Sequence, residues 1–116
     1  MANFSKHFLS ASTNGKQIVL TNNSSPGTLL HTAPSGTSSV DEVWIYATNT
    51  SAASSAKLTI QWGETATPGY VEIFLTPESG YTLIIPGMII QNGLEIRAFT
   101  DSTNFVNING YVNRIS

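Results

Sequence analysis

The amino-acid sequence predicts an all-β chain: a single-domain antiparallel β-sandwich, jelly-roll-like, of about eight or nine strands. Three observations carry this expectation. Runs rich in β-branched and aromatic residues recur at spacings of roughly ten residues. Turn chemistry fills the gaps, as in Asn14-Gly15, Pro26-Gly27, Pro34-Ser35-Gly36, Pro68-Gly69 and Asn92-Gly93. No window carries the apolar period of about 3.6 residues that an amphipathic helix needs.

Taken in order, residues 1–12 alternate weakly, with Phe4, Phe8 and Leu9 as their only large apolar groups. They read as an arm or edge strand, so residues 1–27 are expected to form an N-terminal arm and edge strand ahead of a sandwich domain over residues 28–116. Residues 17–21 are a strand candidate, closed by the breaker run Asn22-Asn23-Ser24-Ser25-Pro26-Gly27, and residues 28–33 are another. Residues 41–49 and 57–63 read as two antiparallel strands joined by the exposed, small polar run 50–56, and this hairpin is the expected nucleus of a sheet. In its first strand Val43, Ile45 and Ala47 point one way and Trp44, Tyr46 and Thr48 the other; in its second, Leu58, Ile60 and Trp62 oppose Thr59 and Gln61. The aliphatic side must be buried against a second sheet, which leaves large amphipathic rings for a partner or a flanking segment.

Residues 70–75 alternate cleanly, and the turn at residues 77–80 leads to a strand over 81–85. Pro86-Gly87 is expected to break that strand before Met88-Ile89-Ile90 resumes it. Asn92-Gly93 is a two-residue hairpin signal leading into residues 94–99, and a last strand runs from Asn104 to the carboxyl terminus with a possible bend at Gly110.

At 116 residues the chain is one domain, long enough to bury roughly 65% of its unfolded surface. Cysteine is absent, which removes disulfides, thiolate metal sites and a cysteine nucleophile. Charged residues make up only 10% of the chain, against about 25% in ordinary soluble proteins, and Ser, Thr and Asn fill the polar positions instead. A net charge of −2 gives no basic footprint, which argues against nucleic acid as a partner. The same scarcity of charge lowers repulsion between copies and favours close packing beside identical neighbours. The longest apolar run, residues 83–90, is short and interrupted by Pro86-Gly87, so no membrane-spanning helix is expected. Residues 1–20 lack a continuous apolar core after their first lysine, and the chain is expected to be made and used without Sec export.

The residues that could carry chemistry are few. His7 and His31 are the only histidines and have no ligand-spaced companions, so neither a metal nor a cofactor is expected. Asp41 and Glu42 are adjacent in a strand and face opposite ways, which rules out cooperation as a carboxylate pair; a solvated strand end is the expectation. Glu64, Glu72, Glu78, Glu95 and Asp101 are scattered, with Glu72 and Glu95 expected to pair with Lys57 or Arg97. No phosphate-binding loop, nucleophile elbow or serine with a nearby base is present, and the chain is not expected to be an enzyme. Trp44, Tyr46, Trp62 and Phe74 could stack on sugar rings, but the flanking positions lack a matching set of carboxylates and amides, which favours core or subunit contacts. The sequons at Asn3, Asn22, Asn23 and Asn49 follow from a composition rich in Asn, Ser and Thr.

The succession Val43-Trp44-Ile45-Tyr46-Ala47-Thr48-Asn49, Leu58-Thr59-Ile60-Gln61-Trp62-Gly63, Leu83-Ile84-Ile85-Pro86-Gly87 and Ile108-Asn109-Gly110-Tyr111-Val112-Asn113-Arg114-Ile115 resembles small virion proteins of tailed bacteriophages, cyanophages among them, of the capsid decoration or cement class. The resemblance spans residues 29–115 and lies in the order and character of the strands. It implies a β-rich structural protein, often a homotrimer, assembled in the bacterial cytoplasm, bound to the outer capsid surface and holding the major capsid protein shell together against internal pressure. The expected partners are other copies of the chain and the major capsid protein, with no membrane involved. Phe4, Phe8, Leu9, Trp44, Tyr46, Trp62, Phe74 and Tyr111 are the expected interface residues. The arm over residues 1–12 is expected to be removable without unfolding the sandwich. The alternative is a carbohydrate- or receptor-binding sandwich of a phage tail, neck or head fibre that uses the same rings as stacking platforms.

Overall fold

The computed structural model describes residues 3–116. β-Branched runs become strands and the Gly, Pro and Asn clusters become their connections. In chain order the strands are β1 (Phe4–Phe8), β2 (Ile18–Val19), β3 (Thr28–Thr32), β4 (Val40–Asn49), β5 (Ala56–Trp62), β6 (Tyr70–Leu75), β7 (Thr82–Ile90), β8 (Glu95–Thr100) and β9 (Val106–Ile115). A single 3-10 turn at Thr67–Gly69 is the only helical element among the described residues.

The strands form two antiparallel sheets, one ordered β1-β9-β4-β7 with β2 also on β9, the other ordered β3-β8-β5-β6. β1 pairs with Tyr111 to Ile115 of β9 and β2 with Asn107 and Ile108, so the two lie end to end along one edge of β9. Counted as one interrupted edge strand, they leave eight strands in the order of a jelly roll, the predicted architecture.

The connectivity differs from the local expectation. The segments 41–49 and 57–63 do not form a hairpin, because β4 lies in the first sheet between β7 and β9 while β5 lies in the second between β6 and β8. The run 50–55 arches from sheet to sheet and is held by Asn49, whose Nδ2 donates to the carbonyls of Ser54 (2.9 Å) and Leu75 (3.1 Å) while its Oδ1 accepts from Ser51 N (3.0 Å). An arch puts both aliphatic faces against one core, whereas a hairpin would leave them side by side. Asn92 and Gly93 adopt the left-handed conformation of a two-residue turn (φ 65° and 71°), yet they too join strands of different sheets. Among the described strands, only β5 and β6 are sequence neighbours that also pair. Pro86-Gly87 does not break its strand either: β7 runs through it with register shifts against Trp44 and Tyr46, as an edge strand can.

The core sits between the sheets. β4 alternates strictly, with Val43, Ile45 and Ala47 fully buried, and Leu58, Ile60, Ile96 and Ala98 meet them from the other sheet. Leu9 and Leu20 are also fully buried. Residues 3–27 are therefore part of the sandwich. β1 is exposed along its whole length, but the chain turns inward directly after it and seats Leu9 in the core. Leu9 is accordingly a core residue, and the expectation that it serves an interface is corrected. Residues 3–12 thus supply both an edge strand and a core side chain, and residues 1–2 of the expected arm lie outside the described residues.

Candidate functional site

Alternation along the strands gives the sandwich two outer faces of different chemistry. The outer face of the β3-β8-β5-β6 sheet carries Lys57, Glu72, Glu95 and Arg97, paired as expected: Lys57 Nζ to Glu72 Oε2 at 3.1 Å and Arg97 Nη2 to Glu95 Oε1 at 3.0 Å. Part of this face is covered by the segment before β3. Gly27 N donates to Gln61 Oε1 (2.8 Å), and Gln61 Nε2 donates to Ser25 Oγ (2.9 Å) and the Thr65 carbonyl (3.1 Å).

The opposite face, on the β1-β9-β4-β7 sheet, is aromatic and apolar. Register places Phe8, Tyr111, Trp44 and Pro86 in one transverse row across its strands. The Trp44 and Tyr111 rings stack, with centroids 6.2 Å apart and planes inclined by 15°. Gly87 (φ 81°) makes room for the indole, since a Cβ there would lie 2.8 Å from Trp44 Cζ2. The next row is Lys6, Asn113, Glu42 and Ile89. Glu42 Oε1 accepts from Trp44 Nε1 (2.9 Å) and Asn113 Nδ2 (3.0 Å), and these two hydrogen bonds hold its carboxyl below the usual carboxylate range. On the other side of the aromatic row, Tyr46 lies between Asn109 and Leu83 and meets the Tyr81 ring edge-on, with centroids 6.3 Å apart. Phe4, Phe8, Tyr81, Leu83 and Ile89 are all exposed, Phe4 by 72% and Ile89 by 61%.

A groove of about 690 Å3 opens on this face where the edge strand is interrupted. β1 ends opposite Tyr111 and β2 begins opposite Ile108, which leaves Asn109 and Gly110 uncovered on that side of β9. The excursion between β1 and β2 folds back at Asn14-Gly15, both left-handed (φ 55° and 87°), and brings Gly15 against the Phe8 ring. Asn109 Nδ2 donates to the Gly15 carbonyl (3.3 Å) and Asn109 Oδ1 accepts from Gly110 N (2.8 Å), so this side chain ties excursion to floor. Phe8, Tyr46, Tyr81 and Tyr111 supply the walls, and Lys6 Nζ stands 4.8 Å from the Tyr111 ring centroid.

A second constellation is buried apart from Arg114, whose side chain is 33% exposed. Asp41, expected at a solvated strand end, is fully buried and bridges the sheets: its Oδ2 accepts from His31 Nε2 (2.6 Å) and Arg114 Nη2 (3.0 Å), and its Oδ1 from Arg114 Nε (2.8 Å). Ser10 N donates to His31 Nδ1 at 2.9 Å. A backbone amide can only donate, so Nδ1 is unprotonated and the imidazole is the neutral Nε2-H tautomer. Burial, opposed by Asp41, holds His31 below its ordinary pKa. Burial alone would raise Asp41, but hydrogen bonds from Arg114 and His31 hold it below the usual carboxylate range. His31 is 1% exposed and both ring nitrogens are engaged, so the His31-Asp41 pair acts as a structural clasp between the sheets.

The expected interface residues are thus divided. Phe4, Phe8, Trp44, Tyr46 and Tyr111 share the aromatic face. Phe74 is exposed on the opposite, charged sheet, and Trp62 is half-buried at the core margin, away from that face. Sequence reading missed Lys6, Tyr81 and Asn109 as groove residues, because only the interruption between β1 and β2 brings them together. Among the described residues no group of three or more His, Asp or Glu side chains is placed to hold a metal ion, and no helix is long and apolar enough to cross a membrane. Comparison of the chain with protein-family models, curated proteins and solved structures finds no match.

Proposed function

We propose that this chain is a non-catalytic structural protein of the virion, a decoration protein that docks on the outer surface of a phage head through the aromatic face of its β1-β9-β4-β7 sheet. The observation that carries this reading is the contrast between the two outer faces. One holds the paired ions Lys57-Glu72 and Glu95-Arg97 beside Phe74 and the Tyr70-Phe99 ring pair; the other presents Phe4, Phe8, Leu83 and Ile89 to solvent with Lys6 and Glu42, unpaired with each other, in a single row among them. Contact surfaces of lasting assemblies are depleted of charge at their centres and enriched in aromatic residues. Jelly rolls serve both capsids and lectins, and the succession of strand segments along residues 29–115 of the sequence resembles that of small phage virion proteins. The major capsid protein and further copies of this chain, as a homotrimer, are the partners in this reading.

Sedimentation of the purified protein alone and with emptied phage heads tests it. The reading expects a species three times the 12.4 kDa chain mass and co-sedimentation that Ile89→Ser and Leu83→Ser weaken while Phe74→Ser, on the opposite sheet, does not. A monomer that ignores heads overturns it. The groove favours a second reading, a saccharide-binding module, because four aromatic rings and an amide converge there on a concavity of ligand size.

A further inference from the structure

The groove's lining is one-sided in its polar chemistry. Tyr46, Tyr81 and Tyr111 bring three phenols, Asn109 an amide, His7 an imidazole and Lys6 an ammonium, while no carboxylate lines it among the described residues. The carboxylate of this face, Glu42, shares the row of Lys6 with Asn113 between them, does not line the groove, and is already engaged by Trp44 and Asn113. Asn109 has spent one N-H on Gly15 and one lone pair on Gly110, which leaves it one further donor and one further acceptor site. The one fixed charge in the groove is therefore positive, in a chain whose net charge is −2.

The rings set the shape of a ligand. Tyr46 and Tyr81 meet edge to face and make an angled wall of a groove that Phe8 and Tyr111 also line. A wall of this kind takes flat faces of C-H groups, and a volume of about 690 Å3 lies within the roughly 300–1,000 Å3 of small-ligand sites. A pyranose ring offers such faces, and its hydroxyls match phenols and an amide. The ammonium at the rim asks for an anionic oxygen beside the ring. Lys6 is held near that position by the Tyr111 ring, 4.8 Å from its centroid, and not by a carboxylate that a ligand would have to displace.

We propose that the groove is a binding site for acidic polysaccharide: a uronic-acid pyranose stacks between the tyrosine walls and sets its carboxylate against Lys6 Nζ. This rests on the second reading above and names its ligand class. Capture of a carboxylated glycan by this groove is compatible with docking of the remaining face, since Leu83 and Ile89 lie outside it.

The test is titration of the full chain with two uronic-acid tetrasaccharides, one of alternating N-acetylglucosamine and glucuronic acid and one of mannuronic acid, each beside its carboxyl-reduced neutral counterpart. Binding is read by calorimetry and by tryptophan fluorescence, because Trp44 stacks on the groove residue Tyr111. At least one acidic oligosaccharide is expected to bind tenfold or more tighter than its neutral counterpart at low salt. Lys6→Gln should erase that preference, and Tyr46→Ala should weaken both forms at least tenfold, with Phe74→Ala as the unaffected control. Equal binding of acidic and neutral forms overturns the acidic ligand while leaving a saccharide site in place. Absence of binding by all four oligosaccharides overturns both. These comparisons are made on the unaltered protein, so the outcome stands even where a variant folds poorly.

Discussion

Replacing Asp41 by alanine should destabilise the fold by about 3 kcal/mol, and the geometry gives the reason. The carboxylate accepts three hydrogen bonds, from His31 Nε2 at 2.6 Å and from Arg114 Nε and Nη2 at 2.8 and 3.0 Å. Truncation leaves the His31 N-H buried without an acceptor, which costs about 1–3 kcal/mol, and strands the guanidinium. Breaking a buried ion pair from one side costs about 3–5 kcal/mol, but the Arg114 side chain is 33% exposed and can turn toward water, which places the sum near the lower end of that range. For a chain of 116 residues, an unfolding entropy of about 2.1 cal/mol/K per residue converts 3 kcal/mol into a fall in Tm of roughly 12 °C. Urea unfolding followed by tryptophan fluorescence at pH 7.5 and fixed protein concentration measures the change directly. A loss under about 1 kcal/mol would refute the assignment of this cluster as the clasp between the sheets.

The same cluster fixes the response to acid. His31 titrates below its ordinary value of 6.5 in the folded protein, so the unfolded chain binds more protons once pH drops beneath that value. Stability must therefore fall as pH is lowered from about 7 toward the folded-state pKa of His31, by up to about 1.4 kcal/mol per pH unit. Asp41, also lowered from its ordinary 3.8, adds a further loss in stronger acid as it is protonated. His31→Gln should flatten the curve of stability against pH between 7.5 and 5, as read by urea midpoints; an unchanged slope would assign the acid response elsewhere. Leu9→Ala should cost about 2–5 kcal/mol by opening a cavity, while Phe4→Ser, five residues earlier on exposed β1, should stay within about 0.5 kcal/mol. Thermal melts distinguish the two, and equal small effects would return residues 3–12 to the status of a loose arm.

What the sequence made legible was local. The alternation of β4 is complete from Val40 to Asn49, and it separates Val43, Ile45 and Ala47 from Trp44 and Tyr46 without any knowledge of partners. The Asn-Gly pairs at 14–15 and 92–93 do take up left-handed backbone, because turn conformation is a property of the residues in the turn. Which strand a turn delivers the chain to is not such a property. In a jelly roll most successive strands lie in opposite sheets, and the choice between hairpin and arch is made by hydrogen bonds to strands far away in sequence. Asp41 was hidden for the same reason. Its partners His31 and Arg114 stand 10 and 73 positions away, and nothing in the dipeptide Asp41-Glu42 says that one carboxylate meets an imidazole and a guanidinium inside the core while its neighbour meets an indole outside.

The clasp and the groove are two consequences of one interruption in the edge strand. The backbone leaves β9 after Phe8, places Leu9 in the core, donates the Ser10 amide to His31 Nδ1, accepts from Thr32 N at Ser10 Oγ (2.8 Å), then returns through Gly15 to pair again at Ile18. An uninterrupted edge strand would cover Asn109 and Gly110 and leave His31 Nδ1 without its donor. The excursion thus opens the hollow beside Tyr46 and Tyr111 and anchors its own near end through a titratable ring. Protonation of His31 at Nδ1 would remove the acceptor for Ser10 N and place a second cation beside Arg114, against which only Asp41 is set, with His7 of β1 adding to the repulsion. Protonation therefore removes an anchor of the segment that walls the groove, and amide hydrogen exchange in residues 10–16 should quicken with acid before that of β4 does; equal quickening in both would refute it.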